Sequence, residues 1–192
     1  MKRKLVLILG CVLFASGVAA ALFSQIWGRQ NGANAREAAQ QLLSRMPQTT
    51  RGLPHTRQNT AMPTLQLEGL DYVAVLEVPR FDRVLPVANQ WNSGELRRQP
   101  CRYYGSAWDN TLVIGGSDGK GQLDFITRID VGTQVFVTDL TGARFAYRVR
   151  EVERAKKADA DTLLAEDGLT LFARNSYGLE YVILRCAPET GE

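Results

Sequence analysis

Hydrophobic and polar positions divide the chain into three unlike stretches. From Leu5 to Trp27 there are 23 residues without a charge. At about 1.5 Å per helical residue, such a run is long enough for a hydrocarbon core of roughly 30 Å. Residues 33–46 (ANAREAAQQLLSRM) place Ala38, Leu42 and Met46 near one face, the period of a short amphipathic helix. Residues 47–64 carry Pro47, Pro54 and Pro63 among threonines and glutamines, which reads as a flexible or extended stalk. Beyond it the period shortens to that of strands. Runs at 72–78, 84–88, 111–115, 134–140, 144–153, 169–173 and 181–186 read as strands, with Thr141-Gly142 marking a hairpin. Asn175, Ser176 and Gly178 mark the turn before the last strand. Short helices are expected at 122–129 and 160–166. Many short strands in one compact stretch predict a mostly β domain closed into a barrel. No internal repeat is visible.

Composition changes this picture in few places. Of 192 residues, 45% are hydrophobic and 22% charged, which is globular rather than disordered. The net charge is +3, and Lys2, Arg3 and Lys4 supply it; without them 20 basic residues face 20 acidic ones. No clustered basic surface is left for nucleic acid. The three N-terminal charges predict a cytoplasmic N-terminus and an exported remainder. The rival reading is a cleaved signal peptide, since Ala19-Ala20-Ala21 offers small residues to a peptidase. The expected organisation is a basic end at 1–4, a transmembrane anchor at 5–27, a short helix and stalk at 28–70, a β domain at 71–188 and a tail at 189–192. Three cysteines and one histidine do not make a zinc cluster of the usual spacing, and nothing calls for a cofactor.

Three local patterns invite a catalytic reading. Gly115-Gly116-Ser117-Asp118-Gly119 fits G-x-S-x-G, but no histidine follows Ser117, so a serine hydrolase lacks its base. Gly119-Lys120 fails the spacing of a phosphate loop. Cys186 follows Arg185, a neighbour that lowers a thiol pKa when it points the same way. Strand alternation instead puts Cys186 with Val182 and Leu184 on an inward face. Cys101 and Cys186 lie outside the anchor, and an exported domain can pair them in a disulfide or bury them as close neighbours. Cys11 sits within the apolar run as a small apolar residue. His55, the single histidine, falls in the stalk, where rigid positioning for catalysis is not expected.

The ordered set VLPVANQW (84–91), QPCRYYGSAWDNTLVIGG (99–116), FVTDLTGARFAYRVREVE (136–153), GLTLF (168–172) and YVILRC (181–186) resembles the sortases. These are cysteine transpeptidases of Gram-positive cell surfaces, and the likeness is to clostridial-type members with an N-terminal membrane anchor. The resemblance implies an eight-stranded β-barrel and a site of histidine, cysteine and arginine. The cysteine attacks a peptide bond of a sorting signal, the histidine moves the proton, and the arginine holds the oxyanion. Carried over residue by residue, Ser117 stands at the histidine position. Arg174, ending Thr170-Leu171-Phe172-Ala173-Arg174, stands at the cysteine position. Tyr181 or Glu180 stands at the arginine position. An arginine stays protonated and cannot act as nucleophile.

The expectation is therefore a membrane-anchored, extracellular sortase-like protein without the conventional chemistry. Its partner would be a sorting-signal-like peptide or a surface or pilus protein. Arg174 has three readings: an ion pair with Glu180, a site for a peptide carboxylate, or a solvated strand end. The alternative is an active enzyme using Cys186 as an unconventional nucleophile.

Overall fold

The computed structural model describes residues 2–46, 61–92, 94–164, 168–175 and 180–189, with the side chains of 2–10, 21–32 and 97 outside the described set. His55 and most of the expected stalk, Ser176 and Gly178 of the last turn, the end of the helix expected at 160–166 and most of the tail fall outside these residues.

The first element, α1 (Lys2–Arg45), is one continuous helix of 44 residues. It merges the apolar run with the amphipathic segment expected as a separate helix. No proline interrupts residues 5–45, and Gly28 and Gly32 cost only about 1 kcal/mol each, too little to force a break. Pro47 ends it, because the residue before a proline is disfavoured in the α conformation. Among the described residues, no helix is long and apolar enough to cross a membrane. The C-terminal part of α1 buries Ala35, Ala39, Leu42 and Met46, a spacing that keeps one stripe inward. Ala39, Leu42 and Met46 pack with Leu67, Tyr72 and Val75, and Ala35 joins the main core. Arg36 adds a two-pronged contact to Asp82, at 2.9 and 3.2 Å.

Among the described residues nine strands follow: β1 (Leu65–Leu67), β2 (Leu70–Val78), β3 (Arg83–Ala88), β4 (Cys101–Tyr104), β5 (Thr111–Ser117), β6 (Gln134–Asp139), β7 (Arg144–Ala155), β8 (Gly168–Arg174) and β9 (Tyr181–Pro188). Their order is β1-β2-β3-β4-β5-β8-β9-β7-β6, and β6 returns to pair with Ala74–Glu77 of β2. Eight strands thus close a barrel. β1 lines the earlier part of the same β2 edge, at residues 70–72, so sheet pairing begins at Leu65, ahead of the boundary expected at 71. Alternation along β5, β8 and β9 sends Leu112, Ile114, Leu171, Ala173, Val182, Leu184 and Cys186 into the barrel core.

The segment expected as a helix at 122–129 is instead a chain of tight turns. Leu123, Phe125 and Ile126 are all fully buried and no single helical face holds that spacing, so the backbone bends to plug one barrel mouth with them. Amides of Ile126 and Arg128 donate to the carbonyls of Leu123 and Phe125. Arg83 staples the plug to β3 through Asp124 at 2.9 and 2.7 Å. The helix expected at 160–166 is present as α2 (Ala160–Leu163).

At the opposite mouth the Thr141-Gly142 hairpin is held by a fully buried carboxylate. Asp139 Oδ1 accepts from the Thr141 hydroxyl and from the amides of Thr141 and Ala143, while Oδ2 accepts from the Trp108 indole at 2.8 Å. Truncating it leaves those donors unpaired. Asp139→Ala is expected to cost about 3 kcal/mol of stability, read as a lower urea midpoint with an unchanged m-value; an unchanged midpoint would show that water replaces the carboxylate.

Candidate functional site

The parallel register of β5 and β8 sets Ser117 beside Arg174, and the antiparallel register of β8 and β9 sets Arg174 beside Tyr181. The three positions singled out in the sequence therefore sit side by side, one strand spacing of about 4.8 Å apart. All three line one open cavity of about 800 Å³. Of the two candidates at the third position, Tyr181 lines this cavity; Glu180 lies one residue before β9, its carbonyl accepting from the Asn175 amide at 2.9 Å. The Arg174 guanidinium lies 5.9 Å from the centre of the Tyr181 ring.

The cavity floor is aromatic, which the sequence reading did not single out. Trp91 stacks on Phe172 at 5.4 Å, and Tyr103 meets both edge-on at 5.1 and 5.7 Å. Gly115 makes room for them: a Cβ there would lie 2.5 Å from both Phe172 and Trp91. The only sequence signal for this arrangement was a glycine at the end of a buried strand. Ser117 is built into the turn that follows it. Its hydroxyl accepts from the Gly119 amide at 3.1 Å, and its own amide donates to Gln122 Oε1 at 3.3 Å.

One wall comes from the segment leading into α2: Ala158 lines the cavity, and α2 backs it. Asp159 caps the helix, accepting from the Thr162 hydroxyl and amide at 2.6 and 3.0 Å. Those bonds hold the Asp159 carboxyl below its usual range. Leu163 is fully buried and packs with Val113, Phe172 and Ile183, with Ala158 against the same cluster. Arg185 holds this wall to the sheet. Its guanidinium is only 4% exposed and donates to the carbonyls of Thr162 and Leu163, to the Thr170 hydroxyl and to Glu153. A cation on the carbonyls of a helix end is favourably placed.

These contacts answer the alternative nucleophile. Arg185 faces outward to α2 and Cys186 faces the barrel interior, so the guanidinium does not activate the thiol. Cys186 is 3% exposed, and burial pushes its thiol up to about 12. Burial likewise pushes Cys101 up to about 11. The disulfide considered between them is not formed, and both thiols are free. β5 and β8 lie between their strands, a separation of roughly 14 Å at about 4.8 Å per strand, whereas a bridge needs Cα atoms within about 7 Å. Among the described residues lining the cavity there is no cysteine and no histidine.

The Sortase domain family matches residues 76–178, more than half of the chain, from the end of β2 to just past β8. The chain belongs to the sortase family. Several solved sortases share the fold. Sortase A from Corynebacterium diphtheriae is 17% identical with a TM-score of 0.57, over 64% of this chain and 63% of that one. A lid mutant of Streptococcus agalactiae sortase C1 is 15% identical with a TM-score of 0.55, over 67% of this chain and 72% of that one. A Clostridium perfringens sortase D5 transpeptidase is 16% identical with a TM-score of 0.55, over 84% of this chain and 93% of that one. This sortase-family chain thus spans less than two thirds of the C. diphtheriae sortase A. No curated protein matches it significantly.

Two outcomes follow for the thiols. Iodoacetamide at pH 8 should leave Cys101 and Cys186 unmodified in the folded chain and alkylate both in urea, as read by peptide mass; rapid native modification of Cys186 would contradict its burial. Both thiols ionise near 9.0 when unfolded and near 11 and 12 when folded. Their contribution is therefore complete below pH 9 and is lost as pH rises through the folded values. Stability should fall above pH 9, and Cys186→Ala should flatten part of that fall.

Proposed function

We propose that this sortase-family protein is anchored in the cell membrane and faces outward, has lost conventional transpeptidation, and keeps its groove for a peptide. The observation that carries the reading is the row Ser117, Arg174 and Tyr181 across β5, β8 and β9 inside the groove. A thioester route needs a thiolate and a proton carrier at the first two of these positions. A seryl hydroxyl committed to the Gly119 amide and a guanidinium supply neither. What remains suits recognition. An aromatic floor takes apolar side chains of an extended segment, and Arg174 offers a planar fork to a carboxylate. The partner class is a sorting-signal-like peptide, carried by a surface or pilus protein.

The anchor reading rests on the uncharged run 5–27 behind Lys2, Arg3 and Lys4. It places the N-terminus in the cytoplasm and the barrel outside.

Titration with an extended acidic sorting-signal-type peptide should change Trp fluorescence, through Trp91, without cleaving the peptide. Arg174→Glu should weaken binding by about tenfold or more, with Arg174→Lys intermediate, as expected for loss of a charge-assisted contact. Equal binding by all three proteins would remove the carboxylate from the account. A covalent peptide adduct in the intact mass would overturn the loss of chemistry.

A further inference from the structure

The barrel has two ends, and α1 passes one of them. The pairing directions bring the ends of β2, β5, β7 and β8 together with the starts of β3, β4, β6 and β9. Ser117, Arg174 and Tyr181, the plug at 123–126 and the turn at 79–82 all belong to this end. The other end holds the start of β2, the Thr141-Gly142 hairpin and Tyr104. α1 runs between them. Leu42 and Met46 pack with Leu67, Tyr72 and Val75, toward the far end. Arg36 reaches Asp82 at the groove end. Followed toward its N-terminus, the helix therefore leaves the barrel past the groove end.

The gap to the apolar run is short. Ala35, the first residue of α1 buried against the barrel, is eight residues from Trp27, about 12 Å of helix. A headgroup layer is roughly 5–8 Å deep, so the groove end has little clearance above a bilayer that holds residues 5–27. The surface presented there fits that position. Arg80 and Arg128 lie over the Phe81 ring at 5.8 and 5.7 Å, Arg80 also pairs with Asp130 at 2.7 Å, and Val131 beside Arg80 is 63% exposed. Arginines with apolar stems beside an exposed apolar side chain suit the phosphate level of a membrane.

The geometry points to the groove end of the barrel lying against the bilayer surface, with Arg80, Phe81, Arg128 and Val131 at headgroup level. This rests on the anchor reading given above. The groove then opens sideways at the membrane, and a ligand must be presented there.

The test uses the full chain carrying Cys11→Ser, reconstituted in phosphatidylcholine–phosphatidylglycerol vesicles. An environment-sensitive fluorophore is placed by Val131→Cys or, as a second groove-end site, Thr127→Cys, and at the far end by Tyr104→Cys. Flotation reads anchoring, and quenching by headgroup-spin-labelled lipid reads proximity. The expected result is flotation with the two groove-end probes quenched several-fold more than the Tyr104 probe. A chain that floats with Tyr104 quenched equally or more overturns the orientation and leaves the anchor standing. A chain that does not float overturns the anchor, and the orientation with it.

Discussion

The parallel pairing of β5 with β8 is the constraint on which the rest depends. Two strands that run side by side in one direction need a long crossover, and here β6 and β7 make it. Because the pair is in register from Thr111–Gly168 to Ser117–Arg174, both strands end together at one mouth of the barrel. Everything at the groove follows from that shared end. β9 enters from the same side and brings Tyr181 alongside, and the crossover must pass over the outer face before β8 begins, which sets Ala158 at the groove's side with α2 behind it.

This pair is also apolar on both faces, as parallel strands covered on two sides tend to be. One face of β8 gives Leu169, Leu171 and Ala173 to the barrel core; the other gives Phe172 to the groove cluster. The two cores share one sheet between them, so the groove floor is as firmly seated as the barrel. Arg185 extends the same logic to a charge. Its head is desolvated; a carboxylate, a hydroxyl and two helix-end carbonyls receive its two terminal nitrogens, while its buried Nε is left without a partner among the described residues.

Much of this was legible in the sequence. The long strands announced themselves through alternation, the hairpin through Thr141-Gly142, and the barrel through their number. The family resemblance pointed to Ser117, Arg174 and Tyr181 or Glu180, and the register of β5, β8 and β9 sets the first three of these side by side. What escaped had its cause in three dimensions. β4 has four residues and no inside–outside alternation of its own, so only its pairing with β3 and β5 makes it a strand. Residues 122–129 carry enough apolar positions to imitate a helix, but the barrel mouth requires all of them buried at once. The continuity of α1 is set by the absence of a breaker, which periodicity does not report. The aromatic floor depends on Trp91, Tyr103 and Phe172 converging from three separate segments over Gly115.

The bond between the Ser117 hydroxyl and the Gly119 amide ties the groove to the closure of the barrel. It makes the residue at 117 a structural member of the turn that leads into the plug, and so of the barrel mouth itself. A side chain without this small, local acceptor would release the Gly119 amide, so a change at the edge of the groove is felt first as a loosening of the mouth beneath it.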